Sequence, residues 1–113
     1  MSMGSPELGI FVSHTSTTEW EPDPDPGGLM HMLCDQDGVE AGLSRFDEVD
    51  GPIAWTLPAR EVILILEGAA RIEIEGAETL DLVQGSIASM PKGAVTTWHI
   101  TTPFRELWVL SGE

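Results

Sequence analysis

The sequence predicts an all-β domain, a sandwich or barrel, and three observations carry that expectation. Twelve glycines and eight prolines cut the chain into short intervals. The segments between them are strand-sized, rich in β-branched residues, and recur about every 8–12 residues, the spacing of sandwiches and barrels. No segment sustains a 3.6-residue apolar period, whereas Arg71-Ile72-Glu73-Ile74-Glu75 alternates polar and apolar with period two. A closed or jelly-roll barrel is favoured over an open sheet because closure disposes of unpaired strand edges.

The elements follow in order. Residues 21–28, Glu21-Pro22-Asp23-Pro24-Asp25-Pro26-Gly27-Gly28, can neither continue a helix nor donate a regular ladder, and form a stiff, solvated acidic loop. Residues 29–33 make a strand, Asp35-Gln36-Asp37-Gly38 a turn and residues 39–46 its hairpin partner. Residues 47–52 turn the chain, and residues 53–57 and 61–66 are strands, the second one buried and β-branched. Glu67-Gly68 makes a tight turn into the alternating strand 71–75, where Ile72 and Ile74 face a core. Short strands at 80–82, 87–90, 95–100 and 106–110 complete the series. The domain organisation is then a tail, short strand and acidic loop over residues 1–28, with residues 1–6 as a loose tail, and one barrel over residues 29–113.

Charge narrows the function. Five Lys and Arg against nineteen Asp and Glu give a formal net charge of −14, which opposes phosphate backbones and anionic lipid alike. Nucleic acid and membrane surfaces are therefore set aside as partners. The single cysteine, Cys34, cannot form an intrachain disulfide, and the longest apolar run, Val62-Ile63-Leu64-Ile65-Leu66, is too short to span a bilayer as a helix. With no basic segment followed by an apolar one at the N-terminus, a cytoplasmic protein is expected.

Two spaced motifs then carry a resemblance. Glu61 is followed by six residues and Gly68, and Gly85 by five residues and Pro91-Lys92-Gly93. In that order and spacing the chain resembles the cupin superfamily, whose fold is a jelly-roll barrel, the double-stranded β-helix. The resemblance covers roughly residues 29–110. Within the superfamily, Trp55-Thr56-Leu57-Pro58-Ala59-Arg60-Glu61, the segment from Pro91 to Thr97-Trp98, and the Thr101-Thr102-Pro103 turn are similar to small cupins of the ureidoglycine aminohydrolase and ethanolamine-utilisation groups.

The departures from the family pattern bear on function. The family's metal site uses three His and one Glu. Its first two His positions fall here on Trp55 and Leu57, or on Ala54 and Thr56 in the longer spacing, and the third falls on Thr96. Only Glu61 is retained. Indole and isobutyl groups cannot coordinate a divalent cation, so no cofactor is expected. A divalent site using His31, if His31 points inward, stays open as the alternative.

The candidate ligand-binding residues are Trp55, Leu57, Glu61, Thr96 and Trp98, with Glu61 as the candidate catalytic group. In the cupin register Glu61 faces inward with Ile63 and Ile65, where burial raises a carboxyl's pKa and suits it to acid–base work. Its bland alternatives are an interior Arg partner or the solvated mouth of the barrel. Trp55 and Trp98 wall a pocket in the functional reading; core filling is the alternative and weighs more at Trp108. His99 falls on the outward face and His14 in a polar segment. Cys34 is expected buried and inert, and Arg60 and Lys92 are candidates for a ligand carboxylate or for surface ion pairs.

The expected function is a cupin-fold protein that binds a small organic metabolite inside its barrel. Two alternatives stand beside it: a metal-dependent enzyme of ureide or amine metabolism, and a non-enzymatic dimeric structural or regulatory module whose barrel is packed solid. A homodimer is expected, because a barrel this small gains core by pairing. Size-exclusion chromatography with light scattering checks this; twice the chain mass is the expected result, and the single-chain mass overturns it.

Overall fold

The structure is a computed structural model that describes residues 4–112. Of the predicted tail, Met1, Ser2 and Met3 lie outside the described residues. Gly4–Ser5 (β1) pairs antiparallel with Ile10–Phe11 (β2) around a 3-10 turn at Pro6–Leu8. The remaining strands are Glu21–Pro22 (β3), Leu29–Gln36 (β4), Val39–Phe46 (β5), Ile53–Thr56 (β6), Arg60–Ile74 (β7), Leu80–Val83 (β8), Ile87–Met90 (β9) and Val95–Ser111 (β10). The chain is thus all-β, a jelly roll as predicted. No helix among the described residues is long and apolar enough to cross a membrane.

Two of the predicted turns are not turns. The segments 61–66 and 71–75 are one fifteen-residue strand, β7, and 95–100 and 106–110 are one seventeen-residue strand, β10. β7 and β10 pair along nearly their whole lengths, from Thr96 opposite Ile74 to Ser111 opposite Arg60, with register shifts between Thr101 and Glu106. Gly68 lies at that irregularity with φ of +79°. A Cβ there would run into the carbonyl oxygens of Thr101 and Pro103. Gly68 therefore serves a bulge within the β7–β10 ladder, the feature that lets a strand bend without ending. The predicted hairpin of β4 and β5 is present, with Asp37 and Gly38 both at positive φ in the two-residue turn.

Beyond the irregularity each long strand changes partners. The C-terminal half of β10 lies between β5 and the N-terminal half of β7, which in turn pairs with β9. The N-terminal half of β10 lies between β6 and the C-terminal half of β7, which pairs with β8. One sheet thereby folds into two layers. Cross-strand rows define their inner faces: Met30, Ser44, Glu106 and Ile65 in one, Met32, Gly42, Trp108 and Ile63 in the next, and Glu40, Leu110, Glu61 and Met90 in a third. The second layer supplies Ile53, Trp98, Ile72 and Leu80 in one row and Ile100, Ala70 and Leu82 in another. Ile63, Ile65, Ile72, Met90, Trp98 and Phe104 are buried in one core cluster.

The N-terminal segment is pinned to the outer face. The Glu19 carbonyl accepts a hydrogen bond from His31 Nδ1 at 2.9 Å, and the Thr15 carbonyl one from Arg105 Nη1 at 2.7 Å. The other ring nitrogen, Nε2, is hydrogen-bonded to the Ser13 hydroxyl at 2.7 Å. Trp20 meets the His31 ring edge-on and carries the Arg45 guanidinium over its face at 5.7 Å.

Gly42 has a different role from Gly68. A Cβ at Gly42 would collide with the His31 carbonyl and stand 3.0 Å from Trp108 Cζ2. The missing side chain is the space that the Trp108 indole uses. Gly42→Ala should therefore lower stability by about 1–3 kcal/mol through overpacking. Urea unfolding followed by tryptophan fluorescence measures this, and a variant within about 0.5 kcal/mol of wild type contradicts the account.

Candidate functional site

Between the two inner faces lies a cavity of about 280 Å³. Its first-layer wall is Met30, Met32, Glu40, Ser44, Phe46, Glu61, Glu106, Trp108 and Leu110; its second-layer wall is Ile53, Trp55, Trp98 and Ile100. Residues 23–26 of the acidic loop complete it. The predicted solvated loop is thus part of the cavity wall. Glu21–Pro22 is held to Leu29 and Met30 as a short edge pair, and the Asp23 amide donates to the Gly28 carbonyl at 3.0 Å. This closure bends the loop back over the barrel. Burial there raises the Asp23 pKa, opposed by a hydrogen bond from the Asp25 amide and assisted by the Asp25 charge.

Two carboxyl groups are buried in this wall. Glu61 is 5% exposed and Glu106 6%. Burial pushes Glu61 up from its ordinary value to about 7, against the opposing effect of a hydrogen bond donated by Trp55 Nε1 to its Oε1 at 3.3 Å. Glu106 is raised well above the ordinary carboxylate range, first by burial and then by the charge of Glu61. Its Oε1 is buried and makes no hydrogen bond. The pair is carried by adjacent strands: Glu106 stands opposite Ile65, and Glu61 opposite Leu110.

Glu61, Trp55 and Trp98 meet at the cavity. Glu61 has neither an interior Arg nor the solvated mouth, its two alternative settings, because β7 puts it on the core face with Ile63 and Ile65. Leu57 and Thr96, the other two expected ligand-binding positions, are not on the cavity wall. Leu57 is 1% exposed within the core cluster, held by backbone hydrogen bonds with Gly93 and Ala94. Thr96 is equally buried and its hydroxyl is used internally: it donates to the Trp55 carbonyl and accepts from Trp98 Nε1 at 2.9 Å. Thr96 therefore ties the Trp98 indole to the Trp55 backbone.

Other candidates lie elsewhere. His31 is on the opposite face of β4 from Met30 and Met32, so it cannot join Glu61 in a metal site. His99 is outward, 2.7 Å from Glu73, and exposed His14 bonds Ser16. Arg60 donates to Ser89 at 2.8 Å and, like Lys92, is absent from the cavity wall. Cys34 is a half-buried free thiol. Trp108 packs in the core and also lines the cavity.

Sequence reasoning, which names Glu61 as an inward-facing acid, missed Glu106. The signal was present: Phe104, Glu106 and Trp108 are spaced by two and share a strand face. Placing Glu106 at a strand start, after an expected turn, hid that alternation.

The residues present do not fit the divalent metal of the wider cupin superfamily. Its ligand positions are filled by an indole, an isobutyl group and a hydroxyl already bonded on both sides, leaving Glu61 alone. Among the described residues no three His, Cys, Asp or Glu side chains are grouped to hold an ion.

The raised Glu61 has a consequence for stability. The folded protein holds a proton there that the unfolded chain, with a carboxyl pKa of 4.5, releases between pH 4.5 and about 7. Stability from this group therefore falls as pH rises through that window, by about 3 kcal/mol in full, and Glu106 acts with the same sign. Glu61→Gln should gain stability relative to wild type on going from pH 5 to pH 8. Urea unfolding of both proteins at the two pH values tests this, and a wild-type-to-variant difference independent of pH overturns it.

Comparison with known proteins agrees with the fold and the motifs. Residues 46–106 match the family described as the EutQ-like cupin domain. The acetate kinase EutQ of Salmonella typhimurium is 33% identical over 89 residues, which span 77% of this chain and 38% of that protein. The structure of ethanolamine utilization protein Q from Salmonella typhimurium LT2 superposes with a TM-score of 0.75 at 24% identity, covering 93% of this chain and 88% of the other. An RmlC-like cupin from Shewanella frigidimarina gives 0.70 at 20% identity, covering 89% of each chain. With the family match extending over more than half of its length, from Phe46 in β5 to the buried Glu106 in β10, the chain belongs to the EutQ-like cupins.

Proposed function

We propose that the protein binds a small organic molecule in the cavity between its two layers, with Glu61 and Glu106 as the polar contacts. The observation that carries this is Glu106 Oε1, buried on the cavity wall without a hydrogen-bond partner. An unsatisfied buried acceptor costs about 1–3 kcal/mol, and a ligand that reaches it removes that cost. Trp55, Trp98 and Trp108 add apolar wall, the usual makeup of a small-molecule site. Any chemistry at the site runs through proton transfer at Glu61, since a carboxyl titrating near pH 7 can both hold and release a proton at neutrality.

The alternatives draw less support. A metal-dependent enzyme of ureide or amine metabolism needs ligands where Trp55, Leu57 and Thr96 stand. A solid structural barrel is disfavoured by the cavity itself. The relative named acetate kinase extends well beyond the segment this chain matches, and no Lys or Arg lines the cavity here to receive a phosphate.

Filling the cavity tests the proposal. Ser44 is buried on its wall, so Ser44→Leu should occupy part of the volume. In a thermal-shift screen of small metabolites, compounds that stabilise the wild type should leave a folded Ser44→Leu variant unshifted. Equal shifts in both proteins, or none in the wild type, overturn the cavity as the binding site.

A further inference from the structure

The charge of the cavity wall identifies the class of molecule it suits. Five carboxylates line it from four parts of the fold: Asp23 and Asp25 in the acidic loop, Glu40 on β5, Glu61 on β7 and Glu106 on β10. No Lys, Arg or His lines it. The arginines are placed elsewhere: Arg45 against Asp47, Arg71 against Asp81, Arg105 against Glu67, and Arg60 on Ser89. Within the barrel, then, these carboxyl groups have no internal countercharge, and Glu106 Oε1 has no hydrogen-bond partner.

We infer that the cavity takes an organic ammonium ion, an amine or quaternary nitrogen carried on a small apolar body. The inference rests on the proposed small-molecule site and names its ligand class. The cation supplies what Glu61 and Glu106 lack, because a buried carboxylate is stable only when paired. An anionic ligand would meet repulsion with no Lys, Arg or His on the wall to offset it. A bare divalent metal would find no set of three grouped ligands among the described residues. The remaining wall suits the rest of such a molecule: Met30, Met32 and Ile100 are apolar, and the indoles of Trp55, Trp98 and Trp108 offer the aromatic surface on which ammonium groups are held. A volume of about 280 Å³ accommodates about nine water-sized groups, which sets the size. The carboxylates of the loop stand at the same cavity and attract the cation on its way in.

Protons and the ligand compete for the same carboxylates. The cation binds the ionised forms, so affinity should rise as Glu61 loses its proton, with Asp23, Asp25, Glu40 and Glu106 the other titrating groups on the wall.

Isothermal titration calorimetry with three probes of one shape tests the assignment: phenethylammonium, neutral 2-phenylethanol and anionic phenylacetate. At pH 8 the ammonium ion should bind at least about tenfold more tightly than the alcohol, and phenylacetate should not bind. Ammonium affinity should fall by about tenfold in Glu106→Gln and on lowering the pH to 5, and the variant should lose more affinity for the ammonium ion than for the alcohol. Circular dichroism establishes that the variant is folded, and Glu61→Gln repeats the measurement at the second carboxyl. Alcohol or phenylacetate binding as tightly as the ammonium ion overturns the ligand class and leaves the cavity reading intact. No binding by any probe also overturns it, and the Ser44→Leu screen then decides the cavity reading separately.

Discussion

The pairing of β7 with β10 is the constraint on which the rest of the barrel depends. These two strands run together through both layers, and β5, β6, β8 and β9 are each attached to one of them. At Gly68 and Thr101–Glu106 the ladder loses register and the two strands bend together. That bend sets one half of β10 among β5 and β7 and the other half among β6 and β7. Only Gly fits there, since a Cβ would enter the carbonyls of Thr101 and Pro103. The layers, their inner faces and the space between them all follow from it.

The same two strands carry the buried carboxyl groups, so the chemistry of the site is tied to the element that organises the fold. Apolar neighbours such as Ile63, Ile65 and Phe104 make the barrel stable and make ionisation of Glu61 and Glu106 costly. A barrel built only for stability would use aliphatic residues at both positions. The chain instead holds Trp55 against Glu61 and orients Trp98 through Thr96, a relay in which each polar group of the indoles has a partner. Glu106 Oε1 is left outside that relay, and its isolation at the cavity is the feature a ligand would resolve.

Much of the fold could be read from residue order. The alternation through Ile72 and Ile74, the Asp37-Gly38 turn and the spacing of Glu61, Gly68, Gly85, Pro91 and Gly93 led to a jelly roll of cupin type. The turns at Glu67-Gly68 and Thr101-Pro103 were misread for a physical reason: the residues that end a strand also make a bulge, and only the partner strand decides which occurs. Family spacing points to Leu57 and Thr96 as site positions; the structure buries Leu57 in the core and engages the Thr96 hydroxyl with the Trp55 carbonyl and Trp98 Nε1. The acidic loop is largely exposed, as its polar composition implies, and it also borders the cavity. Its place on the cavity wall comes from the short pairing of Glu21–Pro22 with β4.

By itself the sequence determined the fold class, the inward face of β7 with Glu61 on it, and the absence of the family's histidine ligands. Those are properties of neighbours along the chain: a period of two, a glycine at a turn, a residue type at a motif position. Only the tertiary structure decided that Glu106 shares the interior with Glu61, that Asp23 and Asp25 stand at the same cavity, and that the cations of the chain lie outside it. The charge of a cavity is summed over segments far apart in sequence, and burial is set by what covers a residue. Neither quantity exists until the strands are paired.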